Sequence, residues 1–417
     1  MDIVILAAQV LGDRIGSGGD RVFVEMARRW SAHHRVTVIC PEEVVASLRK
    51  EVPATTLLWP LPRYPWTRSR IALNRVYLVP LVYLMRCLAA LACLRRCRGD
   101  ALVLSGDFFC NVLPAVWAVR RGRFRLLAAN VFHINESLFR RRANPALNTL
   151  TSFLLQRLSL RFIRRRAGLV LLLNRQVAER LKGMGFAQER LRVVGAGLDV
   201  KAIERVPPIP GRACDAVFFG RFNPTKGCFD LPAIWKTVTD QVPGARLGII
   251  GAGNDPWRLR VQEDLKALSL DRCVEFLGFL PYEEAYGILK TCSVLIHPSY
   301  EEGWGITICE AFACGVPVVA YDLPVYDEVF PLVLRTAPLG DREAFGRRVV
   351  ELLRDREAAS DLARAGRALV ARYDWETLAQ REIALFEEAL EIKIRNSGTQ
   401  ETSLKIPDFL SSKFSKT

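Results

Sequence analysis

"DIVILAAQVLGDRIGSGGDRVFVEMARRWSAHHRVTVIC" (2–40) decides the fold. The apolar run "DIVILAA" predicts a strand. A glycine-rich loop, "GDRIGSGGD", follows it. The amphipathic "RVFVEMARRWSAHH" then predicts a helix, and "RVTVIC" a second strand. Strand, glycine loop, helix and strand make a βαβ unit, hence a parallel sheet. The alternation continues through "DALVLSGD", "NVLPAVWAVRRG", "RLLAANVFH", "GLVLLLN", "RQVAERLKGMG" and "LRVVGAGLD". "ERVPPIPGRACD" (204–215) interrupts it and reads as a linker. The pattern then restarts, with strands at "AVFFGRF", "ARLGIIGAG", "CVEFLGFL", "SVLIHPS" and "VPVVAY" and helices between them.

Two such halves imply two doubly wound, Rossmann-like α/β domains facing each other across a cleft. The expected boundaries are 1–203, 204–375, a helix over 376–394 returning to the first domain, and a polar, mobile tail over 395–417. Ligands of doubly wound sheets bind at the carboxyl ends of the strands, so the site belongs in the cleft.

Charge is uneven. The chain carries 59 Lys+Arg against 44 Asp+Glu, a net charge of +15. From Val52 to Gly99 there is no acid, yet Arg63, Arg68, Arg70, Arg75, Arg86, Arg95, Arg96 and Arg98 lie there. From Arg120 to Arg166 the only acid is Glu136. Such a field attracts anionic lipid surfaces, lipid phosphates or nucleic acid, and is equally a well-solvated basic face. "VYLVPLVYLMRCLAALACL" (76–94) is apolar almost all round a helix. It fits a half-buried helix, a helix in the membrane interface, or a span that would carry Arg86 deep in lipid. Asp2 and the missing basic leader make the N-terminus a first strand rather than a signal peptide. The 11 cysteines are scattered; Cys93 and Cys97 have no companion ligands, which argues against zinc and for free thiols in the cytoplasm.

Several segments carry chemistry. "GSGGD" (16–20) ends a strand and opens a helix, where an anion is favoured, although it describes a tight turn equally well. In "FFGRFNPTKG" (218–227), Arg221 and Lys226 flank a turn at a strand end, with Gly220 leaving room. Two such cations clamp a phosphate or diphosphate, unless they are simply surface charges. "IIGAGNDP" (249–256) offers another bare turn at Gly251 and Gly253. "EEGWGITICE" (301–310) holds Glu302 on a loop opened by Gly303 and Gly305, and Glu310 eight positions later on a helix from about Ile306. Glu310 suits the vicinal diol of a ribose, Glu302 another hydroxyl-rich group, and the backbone N–H groups of 304–307 an anion between them. One ligand accounts for all of this: a sugar joined by a diphosphate to a nucleoside.

These segments, together with "VEFLGFLPYEEAYGILKTCSVLIHPSYEEGWGITICEAFACGVPVVAYDLP" and "GSGGDRVFVEMA", resemble the large retaining GT-B glycosyltransferase group with an E-x(7)-E element, family four or "glycosyl transferases group 1". The resemblance covers about 1–390. It implies that Arg221 and Lys226 hold the donor diphosphate, Glu310 the ribose and Glu302 the donor sugar. It implies that Gly18, Gly19, Gly220, Gly251, Gly253, Gly303, Trp304, Gly305 and Ile306 line the donor site. His133, in "ANVFHINE", matches the family's histidine near the transferred sugar; read alone, it is a structural strand-end histidine. Trp304 stands where the family often has Phe.

The resemblance further implies a retaining, metal-independent hexosyltransferase with no cofactor, the nucleotide sugar being a substrate. Mannose or glucose would pass to a lipid-linked or polysaccharide acceptor at the cytoplasmic membrane face, with the protein bound peripherally to an anionic surface. Two alternatives compete. A GT-B nucleotide-sugar epimerase would need no acceptor. A basic nucleic-acid-binding protein would leave Glu302 and Glu310 unexplained.

Overall fold

The alternating runs fold into two parallel sheets. The computed structural model describes residues 1–10, 18–63, 79–134, 146–210, 214–251, 253 and 255–398. The first sheet contains β1 (Asp2–Leu6), β2 (Arg35–Pro41), β3 (Leu57–Leu61), β4 (Gly99–Leu104), β5 (Phe124–Val131), β6 (Leu169–Leu172) and β7 (Leu191–Val193). Its seven strands lie in the order β3-β2-β1-β4-β5-β6-β7. The second contains β8 (Ala216–Phe219), β9 (Leu247–Ile250), β10 (Val274–Gly278), β11 (Val294–His297), β12 (Val318–Tyr321) and β13 (Arg335–Ala337). Its six strands lie in the order β10-β9-β8-β11-β12-β13. All pairings are parallel. Central strands such as "LVLL" in β6 and "VLIH" in β11 are buried along their whole length. Helices cover both faces, which is why these strands read as continuous apolar runs.

Strand order reverses between β1 and β4 in the first sheet and between β8 and β11 in the second. Each reversal opens a crevice beyond the strand ends. The loops that the sequence marks leave β8 and β11 at this point. β3 and β13 are elements that the periodicity did not reveal. β3 carries Pro60 and lies at the sheet edge, where a missing N–H is tolerated, and β13 is only three residues long.

The helix Val79–Leu94 corrects the spanning reading of 76–94, whose first three residues lie outside the described ones. Arg86 is buried within the domain. Its Nη1 donates to the carbonyls of Ala8 at 3.2 Å and Val10 at 2.5 Å, and Glu43 lies 3.7 Å from Nη2. Val82, Cys87, Ala90 and Leu94 face the core, while Leu81, Leu84 and Leu88 are exposed. No helix among the described residues is long and apolar enough to cross a membrane.

The expected linker is tied down. Lys290 Nζ donates to the carbonyls of Ile203, Glu204 and Val206, and Ile209 N donates to Gly287 O at 3.0 Å. The chain crosses back near Tyr373, whose carbonyl accepts from Leu198 N at 2.7 Å. The helix Trp375–Gly398 then lies on the helix Gly18–Trp30. Trp30 packs edge-on to Phe386 at 5.3 Å and donates to Ala379 O. One apolar cluster consequently runs from Ile5 through Leu198 and Trp304 to Phe312 and Phe386. Of the expected tail, 395–398 end this helix, and 399–417 lie outside the described residues.

Candidate active site

The loops after β8 and β11 are fastened to each other. Gly227 has φ +74°, and a Cβ there would lie 1.9 Å from Pro298 O. Tyr300 N and Ser299 Oγ both donate to Thr225 O. Asp230, buried, accepts from Tyr300 Oη, Tyr321 Oη and Arg342 Nε. This clamp places Lys226 Nζ 2.5 Å from Glu302 Oε1, with His297 Nε2 2.8 Å from the same oxygen. Burial alone would raise the Glu302 carboxyl. The Lys226 ammonium and the His297 contact outweigh it and hold the group well below the usual carboxylate range. An ammonium has three N–H donors, so Lys226 keeps donors for a further anion. Arg221 is exposed at the mouth of the same turn and hydrogen-bonds to no described residue.

The neighbouring glycines allow backbone to meet backbone. A Cβ on Gly251, at φ +143°, would lie 1.8 Å from Gly220 O, and one on Gly253 would lie 2.1 Å from Phe222 O. Their bareness is required by the packing of one strand-end loop on the next, whatever else occupies the crevice.

The second acid lies deeper. Gly305, at φ +99°, turns the chain into the helix Ile306–Ala313, whose start has no side-chain cap. Ile308 N turns back to Gly305 O at 2.9 Å, which leaves the N–H groups of Ile306 and Thr307 facing outward for an anion. Glu310 is buried on this helix and accepts from Tyr286 Oη at 2.7 Å. Burial pushes its carboxyl up to about 7, with Tyr286 and Arg21 pulling the other way.

The N-terminal domain closes over this edge. Asn174 Nδ2 donates to Gly303 O at 2.6 Å. A Cβ on Gly303 would lie 3.1 Å from Phe132 O, and one on Gly19 would lie 2.9 Å from the Phe132 ring. A Cβ on Gly18 would lie 3.4 Å from Ile306 Cδ1; Gly16 and Ser17 of that loop lie outside the described residues. The residue after Phe132 is His133, which is exposed. Its carbonyl accepts from Gln156 Nε2, which also donates to Asp107 Oδ2 at 2.9 Å. Asp107 is buried; burial raises its carboxyl while the nearby His133 and Gln156 lower it.

The structure thus gathers Lys226 with Glu302, and Gly18, Gly19, Gly303 and Ile306 at one seam. It does not bring the Trp304 ring to the cleft. That ring packs against Gly195 and stands edge-on to Tyr373 at 5.0 Å, buried between the crossing segments. Sequence reading missed His297, Tyr286, Asp107 and Arg21. His297 had a signal, being a polar residue ending an apolar strand five positions before Glu302. Tyr286 and Arg21 had none, because they reach Glu310 from other elements.

Residues 199–369 match the family described as glycosyl transferases group 1. Curated relatives carry the same resemblance. The D-inositol 3-phosphate glycosyltransferase of Corynebacterium jeikeium is 32% identical over 164 residues, 35% of this chain and 39% of that protein. The phosphatidyl-myo-inositol mannosyltransferase of Propionibacterium freudenreichii is 31% identical over 195 residues, 45% of this chain and 47% of that protein. The chain therefore spans less than half the length of these two relatives. Among solved structures, Anabaena HepE in complex with UDP and glucose superposes with a TM-score of 0.71 at 16% identity, covering 93% of this chain and 100% of that one. The two facing parallel-sheet domains are the GT-B fold of these glycosyl transferases.

Proposed function

We propose that this protein is a retaining, metal-independent glycosyltransferase that moves a hexose, of mannose or glucose type, from a nucleotide-diphosphate sugar to a lipid-linked or polysaccharide acceptor. The observation that carries the reading is the convergence of Lys226, His297 and Glu302 at the carboxyl ends of β8 and β11, with Phe132 of the first domain against the same loop at Gly303. In this reading Arg221 and Lys226 hold the diphosphate. Charge builds on the leaving phosphate as the sugar bond breaks, and fixed cations stabilise that change more than the ground state. Two cations in this role leave no step that requires a metal. Glu302, held ionised, accepts from the sugar hydroxyls. Glu310 grips the ribose diol. His133 lies beside the oxocarbenium-like sugar, and the departing phosphate takes the acceptor proton on the same face, so configuration is kept.

The lipid part of the proposal draws support from the exposed Leu81, Leu84 and Leu88, with Leu154 and Leu158 on the helix Ala146–Arg166, amid an arginine-rich half. Exposed apolar side chains on an arginine-rich domain suit peripheral binding to anionic membrane at the cytoplasmic face. The name of the Propionibacterium relative, a phosphatidyl-myo-inositol mannosyltransferase, points to the same acceptor class.

The test incubates the protein with labelled nucleotide sugars and membrane lipids. Label moving to lipid, and lost in Glu310→Ala, supports the proposal. No donor bound or consumed, with Glu310→Ala indistinguishable from the parent, overturns it. Conversion of the nucleotide sugar without acceptor would turn the reading to an epimerase.

A further inference from the structure

We infer that Arg21 is a positioning residue that ties the donor grip of Glu310 to closure of the two domains. The inference rests on the reading of Glu310 as the ribose grip. Arg21 belongs to the N-terminal domain, in the first turn of the helix Gly18–Trp30. Its Nη2 lies 2.8 Å from Oε1 of the buried Glu25. An i,i+4 pair of this kind is ordinary on a helix surface. Here, however, the guanidinium leaves its own domain. It lies over the Tyr282 ring of the second domain, 4.6 Å from the centroid. Tyr282 and Tyr286 lie 5.7 Å apart at 32°, and Tyr286 Oη donates to Glu310. A line of contacts thus crosses the cleft from Glu25 to Glu310.

The physical consequence follows from burial. A carboxylate accepts both hydroxyls of a diol only when it is ionised, and burial opposes ionisation. The groups facing Glu310 are Tyr282 and Tyr286, the thiols of Cys309 and Cys314, and Arg21. Burial pushes both thiols and both phenols up, so all four stay neutral near pH 7. Lys290 and Arg367 act at Cys314, at the far end of the helix, and are engaged with Ile203, Glu204 and Val206. Arg21 is therefore the cation, among the described residues, that favours the charged form of Glu310. Because it sits on the opposite domain, an open cleft withdraws it and a closed cleft supplies it.

The experiment measures binding of UDP, GDP and ADP to the full chain by calorimetry, from roughly pH 5.5 to pH 8.5, in the parent, Arg21→Met, Arg21→Gln, Arg21→Lys, Glu310→Gln and the double variant Arg21→Met/Glu310→Gln. Arg21→Met is expected to weaken the best-bound nucleotide about tenfold near neutral pH and to move the acid limb of binding up by about one pH unit. Arg21→Lys restores the limb. In the Glu310→Gln background, Arg21→Met changes binding by less than about twofold, because the two residues act as one unit. Arg21→Gln keeps a donor for Glu25 while losing the charge, so the same readings apply if the Met variant folds poorly. An unmoved affinity and acid limb in both uncharged variants overturns the inference while leaving the donor site standing. So does a loss that persists undiminished beside Glu310→Gln. A parent that binds none of the three nucleotides ends the ribose reading, and this inference with it.

Discussion

Lys226 Nζ lies 2.5 Å from Glu302 Oε1, on a loop held down by Gly227 against Pro298. The pair couples two proposed roles, phosphate clamp and sugar grip, in one ion pair. Lys226→Ala is expected to lower kcat/KM about 10²–10³-fold, since a cation aimed at developing charge is lost. It also leaves Glu302 buried with His297 alone, so stability falls near neutral pH. The sign follows from the depressed Glu302 carboxyl. Its stabilisation is present above the ordinary carboxylate pKa and is lost as pH falls through the folded value. Thermal melts of parent and variant should therefore converge in acid. Equal kcat/KM for the two proteins would remove Lys226 from the chemistry.

Gly227→Ala tests the clamp itself. The new methyl would meet Pro298 O at a φ that L-residues avoid. Urea unfolding should show a loss on the order of 2–4 kcal/mol, and nucleotide affinity should fall as Lys226 leaves Glu302. Unchanged stability would mean that the two loops are not pressed together.

Glu382 provides a pH-dependent test outside the site. It is buried on the C-terminal helix, and both oxygens lack a hydrogen-bond partner among the described residues. Burial pushes its carboxyl up to about 8, with Arg381 pulling the other way. The folded value lies above the unfolded one, so the native state holds this proton longer and loses stability as pH rises between the two. Glu382→Met should stabilise by on the order of 2–4 kcal/mol near pH 8, with the gain shrinking towards zero near pH 4.5. A gain that does not vary with pH would contradict this account.

The exposed leucines predict lipid binding. Leu84→Glu with Leu88→Glu, on the open face of the helix Val79–Leu94, should lower flotation with anionic liposomes several-fold while leaving nucleotide binding intact. Indifference to lipid charge in the parent would exclude this surface as the membrane contact.

Transfer should also proceed undiminished in EDTA, as Arg221 and Lys226 are proposed to supply the charge that a metal otherwise would. Loss of turnover restored by added divalent cation would reverse that part of the proposal.

The alternation of apolar runs and helical stretches determined eleven of the thirteen described strands by itself, because a strand covered on both faces must be apolar along its length. The same reading located the loops after β8 and β11 and their acids and cations, since glycines and charges at strand ends are local features. It missed β3, whose Pro60 disguises an edge strand, and β13, an edge strand of three residues that is too short to show a period. It left three fates open for 76–94. The described part, 79–94, was decided by Arg86, which reaches the backbone of Ala8 and Val10 some 76 to 78 positions earlier.

Only the tertiary structure decided the electrostatics of the site. Glu302 and Glu310 belong to one motif, yet one is held ionised by Lys226 and His297 while the other is raised by burial beside Tyr286. Trp304, between them in sequence, turns into the core. The reason is physical. Spacing along the chain fixes which element carries a side chain, but charge state depends on what other elements bring within a few ångströms. For Glu302 and Glu310 those partners lie up to 289 positions away, in Arg21.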